Sequence, residues 1–170
     1  MIRKKKSYAR PMKPFEGPRI AEENLLVKEY GLKNKKEVWK SLAKINYYKK
    51  RAMALARSPS EEQEAFFNKL RHLGLKVNSV SDILGLKIED LLRRRLPSIV
   101  NKKRLAKTVK QARQLVVHKK ITVKCNVIDS PSYIVSVDEE NRIDLKKKVK
   151  QSVETPKVDI NDEIAGDIAQ

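Results

Sequence analysis

The chain of 170 residues is long enough for one domain of ordinary size or two small ones, but too short to hold a large catalytic domain as well. Its 39 lysines and arginines outweigh 21 aspartates and glutamates, which gives a formal net charge of +18. So strong a positive field favours a polyanionic partner, and nucleic acid, an anionic membrane or an acidic protein would each serve. The charge is uneven, because residues 151–170 hold five carboxylates and one lysine.

The residue patterns of common catalytic and metal sites are absent from the sequence. It contains no Gly-x-Ser-x-Gly motif, no glycine-rich phosphate loop and no histidine pair at metal-ligand spacing. Cys125 is the one cysteine, so it cannot form a disulfide within the chain, and it has no second ligand at zinc spacing. No apolar run approaches 18 residues. We therefore expect a cytoplasmic protein that is not an enzyme and uses no metal or cofactor.

Residues 1–20 are rich in cations and proline and show no apolar periodicity, so they cannot bury enough surface to fold alone. We interpret them as an extended basic arm whose cations, including Arg10 and Arg19, lie along phosphates. A solvated, disordered tail is the alternative.

Residues 21–86 are predicted to form a helical domain. A short helix over about 21–30 should stop at Gly31, a residue that ends helices readily. Asn34 and Glu37 have the spacing of a capping box, which predicts that the longest helix opens there.

The long helix should run to about Arg57 and carry Trp39 and the pair Tyr47–Tyr48. These aromatic side chains could stack on bases, but their helical setting favours packing. A further helix should start after Ser58, with Pro59 at its first position, and close at Gly74.

Residues 87–147 are predicted to form a compact α+β module that opens with an arginine-rich helix. Apolar residues recur at helical spacing over 88–99, and the run Arg93-Arg94-Arg95 lies within them, so one face should pack and the other carry positive charge. Pro97 interrupts this pattern. Because proline removes a backbone donor, we expect a kink or a helix restart there.

A second helix of this module should open at Thr108, which forms a capping-box pattern with Gln111. Apolar residues over 109–116 share one face, and the opposite face, with Lys110 and Arg113, should be outward and cationic.

Short β segments should follow this helix. The sequence alternates between apolar and polar residues over 121–123, and further strands are predicted at 127–128, 134–137 and 143–145. Residues 148–170 end the chain as a predicted flexible acidic tail.

The module resembles the S4 RNA-binding domain. The residues that carry the resemblance are 108–116, 118–123 and 131–133. The chain around them resembles, in the same order, the archaeal and eukaryotic branch of the S4 family of small-subunit ribosomal proteins. That second resemblance is carried by Pro14–Glu16, Tyr30–Trp39, Leu84–Asp90 and Arg142–Leu145. It covers residues 11–147, so it points to the ribosomal family rather than to the module alone.

The resemblance implies a structural constituent of the small ribosomal subunit that is a primary binder of small-subunit ribosomal RNA. It implies a role in nucleating assembly near a five-way junction of that RNA and in supporting translational accuracy. It also implies a place near the mRNA entrance, beside other small-subunit proteins such as S5, with no membrane and no small-molecule substrate.

The residues predicted to contact RNA come from the two helices of the module, their connecting turn, the turn before the first strand and the arm. They are Arg93, Arg94, Arg95, Lys102, Lys103, Arg104, Lys107, Lys110, Arg113, His118, Lys119, Lys120, Tyr133, Arg10 and Arg19. Arginine suits this work because its planar fork of donors grips phosphate in two places. The alternative is that these side chains are simply solvated helix faces.

The sequence is also compatible with other functions. The nearest alternative is a nucleolar small-subunit processing factor that shares the module. An RNA-modifying enzyme would need a catalytic domain for which 170 residues leave no room. A basic membrane-surface protein would bind lipid vesicles but no RNA.

Two positions depart from the family pattern. Lys119 and Cys125 stand where the family usually has glycine, so the surface charge is predicted there but the turn geometry is not.

Overall fold

The computed structural model describes residues 6 and 8–146, and over those residues it contains eight helices and a three-stranded sheet. In chain order the elements are α1 (Gly17–Glu29), α2 (Lys35–Leu55), α3 (Ser60–His72), α4 (Val80–Gly85), α5 (Ile88–Arg93), α6 (Leu96–Lys102), α7 (Val109–Val117), β1 (Ile121–Val123), β2 (Asn126–Val127), α8 (Val137–Glu140) and β3 (Ile143–Leu145). The predicted α+β class is confirmed, with a mostly helical N-terminal part and two helices packed on a small sheet. The start of the predicted basic arm and the acidic tail lie outside the described residues.

Helix α1 begins at Gly17, four residues before the predicted start, and so takes 17–20 out of the predicted arm. Pro18 explains the difference, because a proline in the first turn of a helix lacks only an N–H that would have no partner there. The predicted end is confirmed: Gly31 has a φ of +57°. A side chain at Gly31 would also crowd α7, since an ideal Cβ would lie 3.2 Å from Cγ1 of Val109.

Helix α2 is the longest helix of the described residues, as predicted, but the predicted capping box is wrong. The Asn34 side chain makes no cap hydrogen bond. The carboxylate of Glu37 is instead hydrogen-bonded to two arginines from distant parts of the chain.

The N-terminal core forms where α2, α3 and α4 pack together. Its most buried members include Ala52, Leu70 and Ile83. Tyr48 is also buried there, with its ring edge-on to Phe66 at 6.4 Å between centroids, so the predicted packing role is confirmed for this tyrosine.

Helix α3 starts one residue later than predicted. Pro59 precedes the helix as its cap residue rather than occupying the first position, and the helix closes at Gly74 as expected, with a φ of +79°.

The expected helix restart near Pro97 is confirmed. Helix α5 ends at Arg93, and Pro97 lies in the first turn of α6. The intervening Arg95 is extended and pairs with Ile134 in an isolated antiparallel bridge. Two backbone hydrogen bonds flank this bridge, from Leu96 N to Tyr133 O at 2.9 Å and from Val135 N to Arg94 O at 3.0 Å.

The sheet has the order β2-β1-β3 and is antiparallel throughout, with Val123 opposite Asn126 on one side and Ile143 on the other. The strand predicted at 134–137 is wrong apart from its one bridge residue. Ser136 caps α8, and its N–H lies 3.1 Å from the Glu139 carboxylate that accepts from it. This local cap favours a helical turn over extended backbone.

A second core joins α6 and α7 to the sheet. It is built from fully buried aliphatic residues such as Val100, Val116 and Ile121. Helix α5 packs with the N-terminal helices instead, because Leu91 and Leu92 belong to their clusters. The predicted division of the chain at residue 87 therefore runs through a shared core, and the domain bounds stay a prediction.

None of the helices in the described part of the chain is long and apolar enough to cross a membrane.

Candidate nucleic-acid interface

The turn that joins α6 to α7 gathers a dense group of cations, which we call the α6–α7 basic surface. Its members are Lys102, Lys103, Arg104, Lys107 and Lys110. All are exposed except Lys103, which is half-buried. They lie together because α6 and α7 pack on each other and the turn between them is short.

Backbone and side-chain bonds hold this turn in place. Arg104 has a φ of 58°, and its N–H donates to Asn101 O at 2.9 Å, which closes the end of α6. Thr108 then caps α7 by accepting from the N–H of Gln111 at 3.2 Å. The Gln111 side chain accepts from the N–H of Lys107 at 2.9 Å rather than from Thr108, so the predicted capping box is displaced by one residue.

A second group of cations lies at the far end of α7. His118, Lys119 and Lys120 are exposed there. A nine-residue helix is about 13 Å long, so this group and the α6–α7 basic surface are separated by about that distance. Lys119 adopts a φ of 57°. The position therefore keeps the left-handed backbone of a glycine turn.

The α6–α7 basic surface has little internal neutralisation. Within the described residues, no carboxylate lies within 4.0 Å of Lys103, Arg104, Lys107 or Lys110. Lys102 contacts Glu140 at 3.1 Å, but its side chain is 73% exposed, and such surface pairs are weak. The surface therefore keeps most of its positive potential for a partner.

Two predicted RNA contacts, Arg95 and Arg113, point inward to one carboxylate. Arg113 grips Glu37 with both guanidinium nitrogens, at 2.7 and 3.1 Å, and Arg95 reaches the same carboxylate at 2.6 Å. We call this group the Glu37 clamp. It ties α2 to the α5–α6 junction and to α7.

The electrostatics of the clamp favour an ionised Glu37. Burial alone would raise the pKa of its carboxyl, but hydrogen bonds from Arg113 and Arg95 and their positive charges hold the pKa below its usual value. The Arg95 side chain is only 7% exposed and the Arg113 side chain only 19% exposed. Both arginines thus have an internal carboxylate partner, and the predicted contacts with RNA at these two positions stay predictions.

Arg94 forms a similar inward link to α8. Its guanidinium contacts Glu140 at 2.6 Å and donates to Val135 O at 3.0 Å. The hydrogen bond from Arg94, reinforced by Lys102, lowers the pKa of the Glu140 carboxyl despite partial burial. Gly74 makes room for this arrangement, since an ideal Cβ there would lie 2.6 Å from the Arg94 guanidinium. Arg94 thus also has internal partners, and its predicted contact with RNA stays a prediction.

The remaining predicted contacts divide in the same way. Tyr133 donates from its hydroxyl to Glu139 at 2.9 Å, and Arg19 pairs with buried Glu23 at 2.7 Å, so both have internal partners. Arg10 is exposed, and Arg93 is exposed beside Glu89 at 3.2 Å.

Sequence reasoning missed the carboxylates that hold the arginines. Glu37 lies 58 and 76 positions from its two partners, and Glu140 lies 46 positions from Arg94. The one local signal, the spacing of Asn34 and Glu37, suggested a cap instead. These arginine–carboxylate pairs form between residues far apart in the sequence, so no local sequence pattern predicts them.

The fold and the basic surface define a protein of the RNA-binding class, and the sequence model of the S4 domain matches residues 94–141. That match spans α6, α7 and most of the sheet region. Curated relatives extend the similarity well beyond the module.

Three archaeal proteins named small ribosomal subunit protein uS4 are similar over most of the chain. The protein of Methanothermobacter thermautotrophicus is 43% identical over 145 residues, covering 82% of this chain and 85% of the relative. That of Nanoarchaeum equitans is 41% identical over 152 residues, covering 85% and 84%. That of Halobacterium salinarum is 38% identical over 141 residues, covering 81% and 83%. The chain belongs to the uS4 family, whose members are structural proteins rather than enzymes.

Proposed function

We propose that the chain is a structural constituent of the small ribosomal subunit and binds small-subunit ribosomal RNA through the α6–α7 basic surface. The observation that carries the proposal is the set of cations around one short turn with no carboxylate partner among the described residues at Lys103, Arg104, Lys107 or Lys110. Its place of work is the ribosome.

The chemistry of folded RNA fits such a surface. Proteins recognise structured RNA largely through its shape, its phosphates and its 2′-hydroxyls, because side chains cannot read the deep, narrow groove of an RNA helix. Lysine and arginine side chains on a fixed scaffold can bind phosphates in such an arrangement directly.

The inward arginines support a preformed interface. The Glu37 clamp and the Arg94–Glu140 pair hold α6 and α7 against the rest of the chain. A surface that is already ordered gives up less conformational freedom on binding. Early binding to nascent RNA would benefit from this property, and so the proposal includes a role in nucleating assembly.

The finer placement follows the family resemblance. We include in the proposal a position near the five-way junction and the mRNA entrance, a contribution to translational accuracy, and contact with neighbouring small-subunit proteins such as S5. The relatives' names support a place in the small subunit.

The test is binding of the full chain to protein-free small-subunit ribosomal RNA, with an RNA duplex of equal length as competitor. We expect strong preference for the ribosomal RNA and a footprint confined to one junction. Equal affinity for the two RNAs would contradict the proposal. Cosedimentation with mature subunits, rather than with precursors alone, would separate a ribosomal constituent from a processing factor.

A further inference from the structure

The residues that precede α1 lie against α1 and α2 without forming a helix or a strand of their own. We call residues 8–16 the arm segment. Its cations Arg10 and Lys13 are exposed, and within the described part of the chain no carboxylate lies within 4.0 Å of either. The arm segment therefore presents positive charge that the described residues do not neutralise.

A guanidinium from the first turn of α1 holds this segment. Arg19 donates from Nη2 to the carbonyl oxygen of Lys13 at 2.8 Å and to that of Pro14 at 3.1 Å. Among the described residues, these are the only hydrogen bonds that join residues 8–15 to the rest of the chain. The path of the arm segment thus depends on the direction in which Arg19 points.

The direction of Arg19 is set by Glu23, which lies one helical turn further along α1 and is only 6% exposed. Its Oε1 accepts from Nη1 of Arg19 at 2.7 Å and from the indole N–H of Trp39 at 2.9 Å. Burial alone would raise the pKa of the Glu23 carboxyl, but hydrogen bonds from Trp39 and Arg19 hold that pKa below its usual value. Glu23 is therefore ionised at neutral pH. We call Glu23, Arg19 and Trp39 the Glu23 anchor.

The same anchor contacts the start of the arm segment. The ring of Tyr8 lies against that of Trp39, with 6.3 Å between the centroids. On α2, Nζ of Lys40 lies 5.9 Å from the centroid of the Tyr8 ring, within the range of a cation–π interaction. The Glu23 anchor thus contacts the arm segment both at Tyr8 and at the turn formed by Lys13 and Pro14.

Resting on the function proposed above, we propose that Glu23 is a positioning residue for RNA binding by the arm segment. Through Arg19 it orders the segment before the RNA arrives, and Arg10 and Lys13 then bind phosphates of the small-subunit RNA. A segment that is already ordered binds more tightly than one that must be ordered on binding, because less conformational freedom is lost. The arm segment would therefore add phosphate contacts to those of the α6–α7 basic surface.

The chemistry of the anchor favours positioning over simple stabilisation. Apolar residues of similar volume often replace a buried ion pair without loss of stability, so such a pair contributes little net stability by itself. A guanidinium, however, has several donors in one plane and can bind groups in different directions at once. Arg19 uses one terminal nitrogen for Glu23 and the other for the arm segment. Arg19→Lys would keep the charge but offer one nitrogen in place of two.

The first test measures the anchor in the unbound protein. Trp39 is the one tryptophan of the chain, so its fluorescence needs no label. Acrylamide should quench this fluorescence more efficiently in Arg19→Lys than in the unchanged protein, because the released arm segment no longer covers the ring. The matched control is Arg57→Lys, on an exposed arginine just after α2, which should leave quenching unchanged. Equal quenching in all three proteins would overturn the inference.

The second test is a double-mutant cycle on affinity for protein-free small-subunit ribosomal RNA. Arg19→Lys and, separately, Glu23→Gln should each weaken binding by about threefold to tenfold, whereas Arg57→Lys should not. In a chain that already carries Arg10→Ala and Lys13→Ala, the same two changes should have no further effect, because the arm segment then has no cations to position. A purely structural role would lower affinity by the same factor in both backgrounds, and that result would overturn the inference.

The readouts separate this inference from the proposed function. Unchanged affinity in Arg19→Lys and Glu23→Gln, despite stronger quenching of Trp39, would overturn the inference and leave RNA binding by the α6–α7 basic surface intact. Equal affinity of the unchanged protein for ribosomal RNA and for a duplex would overturn the proposed function and this inference with it. Urea unfolding identifies any variant that has lost its fold, and the cycle is then completed with the other of the two changes.

Discussion

At the scale of single residues, the arginines of this chain lie in two environments that their sequence pattern does not distinguish. Arg93, Arg94 and Arg95 are consecutive, yet the first is exposed and the other two contact internal carboxylates. The difference arises because α5 ends at Arg93 and the chain becomes extended at Arg95. A continuous helix would have spread the three around its circumference instead.

Replacing Glu37 with glutamine tests the clamp. Glu37→Gln leaves Arg95 and Arg113 without a charge partner in a poorly solvated place, where breaking an ion pair costs about 3 to 5 kcal/mol when burial is complete. Because the Glu37 side chain is 17% exposed, we expect a loss of about 2 to 3 kcal/mol in the free energy of unfolding, measured by urea denaturation. Glu64→Gln, on an exposed carboxylate of α3, is the control and should change the value by under about 0.5 kcal/mol. Equal effects of the two changes would contradict the role assigned to the clamp.

Stability should also depend on pH through the same carboxyl groups. The pKa values of Glu37 and Glu140 are below their usual value in the folded protein, so their contribution is fully present above the unfolded pKa of about 4.3. It is lost as the pH falls from there through the lower folded pKa values. The free energy of unfolding should therefore decline below about pH 5, and less steeply in Glu37→Gln. If the free energy of unfolding declined equally steeply in the unchanged protein and in Glu37→Gln, the pKa of the Glu37 carboxyl would not be lowered in the folded state.

At the scale of elements, the β1–β2 hairpin shows a glycine-like turn built without glycine. Lys124 and Cys125 form its two-residue loop, with φ values of 49° and 68°. Both values match a type I′ turn, whose second residue is preferably glycine. The backbone geometry that the family pattern implies is kept, although the residues differ.

Cys125→Gly should therefore raise stability. Removing the Cβ from the left-handed region relieves about 1 kcal/mol of strain, part of which is offset by the greater freedom of glycine in the unfolded chain. We expect a gain of about 0.5 kcal/mol in denaturant unfolding. Cys125→Ala removes the thiol but keeps the Cβ, so it should show no such gain. A gain of equal size in both variants would assign the effect to the thiol.

A second glycine prediction concerns the contact between α3 and Arg94. Gly74→Ala places a Cβ 2.6 Å from the Arg94 guanidinium at a φ of +79°, so both the ion pair with Glu140 and the backbone are disturbed. We expect a loss of about 2 kcal/mol or more in urea unfolding. Gly85→Ala has open space and an ordinary φ, and it should be neutral or slightly stabilising. A neutral Gly74→Ala would mean that Arg94 moves aside at no cost.

The elements were predictable from sequence where their signals are local. Helix-capping and helix-breaking residues such as Thr108, Gly31 and Pro97 predicted the ends or restarts of helices to within a few residues. The segment at 134–137 was misassigned because its apolar residues suggested a strand. The cap formed by Ser136 and Glu139 instead starts helix α8 at Val137. A short apolar run does not distinguish the two states by itself.

At the scale of the whole molecule, the basic surface is supported by ion pairs that cross the chain. The fold class, the helix pair on a small sheet and the outward cations from Lys102 to Lys110 were all accessible from periodicity, charge and family resemblance. The Glu37 clamp was not, because its members approach each other only after α2, α6 and α7 have packed. Ion pairs between single residues far apart in the sequence produce no repeat and no characteristic spacing by which they could be predicted.

The central claim is that RNA phosphates meet the α6–α7 basic surface. The most direct measurement is the salt dependence of binding to protein-free small-subunit ribosomal RNA for a triple variant, Lys103→Ala, Arg104→Ala and Lys107→Ala. Each lost phosphate contact should reduce the slope of log affinity against log salt by about 0.7 to 0.9, so we predict a total reduction of about 2 to 3. The control removes the same charge elsewhere, with Lys50→Ala, Arg57→Ala and Lys69→Ala, and should keep the slope. An equal slope in the two triple variants would contradict the claim and leave only a general attraction between a basic protein and RNA.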